Sequence, residues 1–191
     1  MADKTLIEFC SPTLAGLKTG SLFGVRYETK EALYQDIRRL NRMLSGKGLR
    51  AVPLRYSGLR ALVYIYRPGF LKRDLQNTSA ARILAEKGYT PQNGDLCVMQ
   101  LIRQLKKSGE EFPHEIGLFL GYPPEDVEGF MTHKDTGCKC TGFWRVYGDE
   151  KKAMKLFESF RKCTRMYHLM LEKGKPVEEL IVAVGERRIP A

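Results

Sequence analysis

The chain has 191 residues, 43% apolar and 28% charged, with 32 Lys and Arg against 22 Asp and Glu for a formal net charge of +10. This composition excludes an intrinsically disordered segment, and the length suits one compact domain that can bury a core without disulfide or metal staples. No apolar run approaches the roughly 20 residues that span a bilayer. The first nine residues carry neither an apolar h-region nor a small-residue cleavage site, so a cytoplasmic protein with no membrane association is expected.

Residues 3–9 form a short apolar-periodic stretch that Ser11-Pro12 is expected to break, and residues 21–27 are extended in character. Thr29 is a good N-cap for a helix with Leu33, Ile37, Leu40 and Leu44 on one face, closed by Gly46 and Gly48. Two strands follow, 49–56 and 59–66, with Ser57-Gly58 as a hairpin turn and Pro68-Gly69 as the stop. Segments 70–76 and 78–87 are predicted helical. Asp95 is expected to cap a further helix with Leu96, Met99, Ile102 and Leu105 on one face. Residues 141–147 look like a strand. Gly148-Asp149 launches the longest helix, which runs to about Lys173, and Pro176 opens one more turn before the apolar run 180–184. With no repeat, low-complexity tract or linker, residues 1–191 are expected to form a single layer-type domain of mixed α/β (α+β) class, with about five helices and three to five short strands.

Five cysteines, an odd number without the dense spacing of a secreted mini-protein, fit free thiols, metal ligands or catalytic groups in a reducing compartment. Cys10 precedes an expected helix start, where backbone N–H groups would lower a thiol pKa and hold an anion. Lys18 and Ser21, polar groups in an apolar stretch, are candidate ligand contacts, together with Tyr122. His114-Glu115 follows a proline, and position 118 is Leu, so this is not an HExxH metal site. His114 suits a general base and Glu115 a group that orients it or lines a pocket. Cys138-Lys-Cys140, with His133 upstream, has the ligand types for an open zinc or iron site but lacks a second cysteine pair.

The spacing of residues 114–131 is that of a helix-turn-helix. Glu125, Asp126 and Glu128 at the start of its second helix would oppose phosphate, so sequence-specific DNA binding is not expected. The dispersed basic charge suits an anionic small molecule or an acidic protein partner.

Several long segments recur in order in a known family. They are Cys10 to Lys18, Leu62 to Pro68, Phe112 to Pro123, Gly142 to Gly148, and Lys162-Cys-Thr164. On these the chain resembles, over nearly its whole length, the family of uncharacterised proteins from anaerobic Gram-positive bacteria known as domain of unknown function number 3793. The resemblance implies a low-oxygen cytoplasm, where thiols and ferrous iron persist, and transfers no catalytic residues.

Three function classes are thus open. The first is a thiol-dependent enzyme with Cys10 as nucleophile, His114 as base and Glu115 in support. The second is a binding protein for a metal or an anionic cofactor, in an iron- or redox-linked role, using Cys138, Cys140 and His133. The third is a nucleic-acid or protein-interaction module built on residues 114–131.

Overall fold

The computed structural model describes residues 3–107, 109, 112–134 and 136–184. Its described residues form a mixed α/β structure of nine helices and five short strands in two small sheets. They group into two compact units, one drawn from residues 1–69 and 162–191 and the other from 70–161.

In the first unit a three-stranded antiparallel sheet has the order β1 (Gly20–Arg26), β3 (Arg60–Tyr66), β2 (Arg50–Ser57). Alternate β3 residues Ala61, Val63 and Ile65 turn one way, as a strand's period of two requires, and enter the same core as the helices. α1 (Asp3–Leu14) supplies Leu6, Ile7 and Leu14 to that core, and α2 (Lys30–Ser45) supplies Leu33, Ile37, Leu40 and Leu44. Thr29 caps α2 as its sequence predicts, accepting from the Ala32 amide at 3.1 Å. Pro53 lies on the edge strand β2, where a missing N–H is tolerated, beside a register shift between Pro53 and Arg55. Asn41 of α2 satisfies both backbone groups of Ala51 at 2.8 Å.

Arg67, directly after β3, is 2% exposed and holds the unit together. Its guanidinium donates to the carbonyls of Thr13 (2.8 Å), Leu14 (2.7 Å), Lys47 (3.2 Å) and Val182 (2.8 Å). Three separate stretches of chain are thereby tied to one cation. Burial lowers its pKa to about 10, which still leaves it charged near neutrality. The Val182 amide adds a bond to the Leu14 carbonyl at 3.0 Å, fixing the segment that follows α9 (Val177–Leu180).

The second unit contains α3 (Pro68–Leu75, from Phe70), α4 (Thr78–Glu86), α5 (Gly94–Lys107), α6 (Ile116–Phe119), α7 (Pro124–His133) and a hairpin of β4 (Cys140–Thr141) with β5 (Arg145–Val146). α8 (Glu150–Glu172) contributes its residues to 161 here, with Ala153, Phe157 and Phe160 packing on Trp144 and Val146.

Four expectations are corrected. α1 runs through Pro12, because the carbonyl that the proline leaves without an N–H donor belongs to exposed Glu8 and can be hydrated. Asn93, not Asp95, caps α5, accepting from the Leu96 amide at 3.0 Å. The buried face of α5 is Cys97, Val98, Leu101 and Leu105, which leaves Met99 53% exposed. Residues 141–147 are not one strand: the chain turns at Gly142, whose amide donates to the Trp144 carbonyl at 3.0 Å. A Cβ at Gly142 would stand 2.3 Å from the Phe157 ring, so the turn depends on glycine. The helix count among the described residues exceeds five because α6 and α7 of the 112–133 segment and the single turn α9 add to the five, and α1 was hidden by its proline.

Candidate functional site

The segment from Phe112 to His133 builds a cavity wall. Residues 114–115 turn into α6, and Gly121, at φ 77°, reverses the chain in a conformation that favours glycine. Pro124 opens α7 at its first position, where a missing N–H costs nothing. Between these helices and the β4–β5 hairpin lies a cavity of about 470 Å³. Its walls carry the rings of Phe112, His114, Tyr122, Phe130 and Trp144, with Ile116 and Val127 adding aliphatic surface. Gly117 keeps it open: a Cβ there would meet Val127 at 2.8 Å and Tyr122 at 3.1 Å. The acidic and basic contributors besides His114 are Asp126 and Arg145.

The aromatic wall is locked in place. Trp144 stacks on Tyr122 with centroids 4.7 Å apart and meets Phe157 edge-on at 4.5 Å. Its indole Nε1–H donates to Asp126 Oδ2 at 2.6 Å. Asp126 Oδ1 accepts from the backbone amides of Tyr147 and Gly148, both at 2.7 Å. This carboxylate is only 3% exposed and sits in the first turn of α7, where the helix dipole favours its charge. It therefore pins the hairpin to α7. Burial raises the Tyr122 pKa to about 12, and its hydroxyl donates to the Phe143 carbonyl at 3.2 Å.

Arg145 lies 5.5 Å from the Phe130 ring centroid and donates to the Lys134 carbonyl at 3.1 Å. The Tyr147 hydroxyl donates to that same carbonyl. Lys134 has φ 47°, unusual for a residue with a side chain, and the two donors on its carbonyl hold it there.

Among the residues singled out from sequence, His114 and Tyr122 line this cavity. His114 is exposed, its ring edge-on to Phe130 at 4.9 Å. Glu115 does not orient it. The Glu115 carboxylate is buried and accepts from the Tyr89 hydroxyl at 2.9 Å, because consecutive residues in a helical turn point about 100° apart. Burial, and after it that carboxylate, raises the Tyr89 pKa.

Cys10, Lys18 and Ser21 belong to the other compact unit. Cys10 is in the interior of α1, not ahead of a helix start, so the end-of-helix amides expected to activate it are already used within the helix. It is 0% exposed, and burial pushes its pKa up to about 12, with Lys18 partly opposing. Lys18 is lowered to about 8, chiefly by burial. Ser21 is buried and shares a 2.9 Å hydrogen bond with Thr13.

His133 ends α7, exposed, while Cys138 and Cys140 are half-buried at the start of the hairpin. Between them Gly137 takes a left-handed conformation, at φ 73°. Among the described residues, however, no three His, Cys, Asp or Glu side chains are grouped to hold a metal ion.

The helix-turn-helix spacing yields a four-residue α6 and a ten-residue α7. The three carboxylates do not form one outward face: Asp126 is buried, and Glu128 pairs with Arg82 at 2.7 Å. Sequence reasoning placed Asp126 on the surface because its alternation with Glu125 and Glu128 carries no sign of three inward-pointing donors. Trp144 and Arg145 were also missed as site residues. The signal available was a lone tryptophan beside an arginine in a Gly-flanked segment.

No helix among the described residues is long and apolar enough to cross a membrane. No curated protein and no solved structure matches the chain. One family model does, matching residues 6–181 and so running through both compact units, and on that match the chain belongs to the family described as protein of unknown function, DUF3793.

Proposed function

We propose that this protein binds a flat, largely apolar small molecule that carries a negative group, in the cavity between α6, α7 and the β4–β5 hairpin. The observation that carries this reading is a ring-lined space of about 470 Å³ with one guanidinium, Arg145, on its wall. Pockets for small organic ligands have this make-up, a mostly apolar lining with a few fixed polar groups. Stacking against Tyr122 and Trp144 would supply affinity, and Arg145 would select for an anion. Asp126, on the same wall, already accepts three hydrogen bonds from Trp144, Tyr147 and Gly148. The net charge of +10 would draw an anion toward the protein. A cytoplasmic setting belongs to this proposal. The thiol-enzyme reading draws no support from the geometry, because a nucleophile must be an accessible thiolate and Cys10 is neither accessible nor easily ionised.

Trp144 is the chain's one tryptophan, so its fluorescence reports the cavity directly. Titration with anilinonaphthalene sulfonate, a flat apolar anion, should quench it saturably at one dye per chain. Arg145→Gln should weaken binding about ten- to a hundredfold, the worth of one hydrogen bond to a charged group. Gly117→Ala should weaken it by narrowing the space. Unsaturable quenching, or affinity unchanged in both variants, would sink the proposal.

A further inference from the structure

The described residues hold one pair of thiols close in sequence and both partly open to solvent, Cys138 and Cys140. They differ from Cys10 and Cys97, which are buried. The tripeptide is held by its middle residue: the Lys139 amide donates to the Val146 carbonyl at 2.8 Å, and Lys139 Nζ donates to the Gly148 carbonyl at 2.6 Å. Fixing Lys139 at both its amide and its amine fixes the short span that joins the two cysteines. The Cys138 thiol folds back over its neighbour, with Sγ 3.1 Å from the Cys140 carbonyl oxygen and 3.6 Å from Thr141 Oγ1. Cys140 packs on the Trp144–Phe157 cluster.

We propose that Cys138 and Cys140 are a thiol–disulfide exchange pair whose oxidant is a low-molecular-weight disulfide. The Cys138 thiolate attacks one sulfur of the external disulfide; that S–S bond breaks, a Cys138 mixed disulfide forms, and the first small thiolate leaves and takes a proton. Cys140 then loses its proton to solvent and attacks the Cys138 sulfur. The Cys138–Cys140 bond forms and the second small thiol departs. Two electrons pass from the two cysteines to the external disulfide, which ends as two thiols.

The order of attack follows from the surroundings. Burial, the Glu150 carboxylate, Cys138 and Asp126 all push the Cys140 thiol up, which suits it to the second, intramolecular step. The Cys138 Sγ contact with the Cys140 carbonyl shows that the tripeptide is already bent toward closure. A bridge between residues two apart still closes a small, strained ring, and Cys140 must leave the Trp144–Phe157 cluster it packs on. A bridge formed at such a cost is readily reduced again, as a reversible exchange pair requires and a structural staple does not.

The experiment equilibrates the full chain in anaerobic glutathione buffers of graded redox poise, quenches with acid, alkylates, and maps each cysteine by mass spectrometry. The expected result is loss of two hydrogens from the peptide carrying Cys138 and Cys140, reversed by reduced glutathione, while Cys10 and Cys97 stay alkylatable after unfolding. Cys140→Ser should accumulate a glutathione adduct on Cys138, and Cys138→Ser should react at least about tenfold more slowly. Persistent glutathione adducts on the native pair without ring closure would overturn the proposal. So would a pair that stays reduced throughout, or Cys163 oxidising as readily. The readout is independent of ligand binding in the cavity, so either proposal can fail alone.

Discussion

Replacing Asp126 with asparagine tests whether one buried carboxylate organises the cavity. Asparagine keeps the shape but removes the charge, and its amide has one acceptor and one donor end. If its oxygen still serves the Tyr147 and Gly148 amides, its NH2 faces the Trp144 indole N–H, donor against donor; if it flips, the conflict moves to the two amides. Hydrogen bonds to a charged group contribute about 1.5–3 kcal/mol, and a buried donor left unsatisfied costs about 1–3 kcal/mol. A loss of ~3 kcal/mol is therefore expected in the 70–161 unit. With a urea slope of about 2 kcal/mol/M, the midpoint should fall by ~1.5 M. Far-UV circular dichroism and Trp144 emission, recorded together, show whether the transition is shared by the whole chain. Trp144→Phe removes the indole donor, and combining it with Asp126→Asn should recover about 1–2 kcal/mol relative to additivity. A midpoint within about 0.3 M of the parent with unshifted emission would refute the anchor, as would strict additivity.

Two further outcomes concern the first unit. Lys18 is lowered from 10.5 to about 8 by burial, so between those values the unfolded chain binds more protons than the folded one and this residue's contribution to stability rises with pH. The stability of the parent minus that of Lys18→Met should thus rise by on the order of 1 kcal/mol from about pH 7 to about pH 9, whichever is the more stable at the start; a signed difference that is flat or falls would mean the amine is hydrated. Native-state alkylation with iodoacetamide near neutral pH should label Cys10 at least about tenfold more slowly than Cys138, with the gap closing in denaturant. Equal native rates would contradict the burial of Cys10.

How far the fold was legible depended on whether a local signal stood alone or competed with another. Thr29 through Gly46 announced α2 because cap, period and stop agree, and Ser57-Gly58 marked the β2–β3 hairpin because turn chemistry sits between two apolar runs. Pro12 misled because proline is read as a break, yet in the last turn of α1 the one bond it forfeits is replaceable by water. Met99 misled because two phases fit α5, and the correct one includes Cys97 and Val98, whose burial is decided by the rest of the unit. Arg67 shows the limit most plainly. An arginine ahead of a proline looks like a solvated charge, and nothing local tells that carbonyls 20 to 115 positions away in sequence converge on it.

The site was legible as a segment and not as chemistry. His114 and Tyr122 were singled out, and both do line the cavity. Their expected partners were drawn from sequence adjacency or chain order, neither of which fixes a contact. Glu115 adjoins His114 but turns to Tyr89, and Cys10 precedes it but lies within α1 of the other unit. The partners that do close the cavity, Trp144 and Arg145, arrive on a hairpin whose position is set by Asp126, 18 and 21 positions before two of the groups that donate to it. A carboxylate that reads as surface charge is thus the group that places the aromatic wall. Its three hydrogen bonds would be wasted on a merely solvated corner, because an exposed carboxylate is satisfied by water, whereas a buried one must be matched donor by donor. That matching is the physical reason the hairpin carrying Trp144 and Arg145 holds one position beside α7.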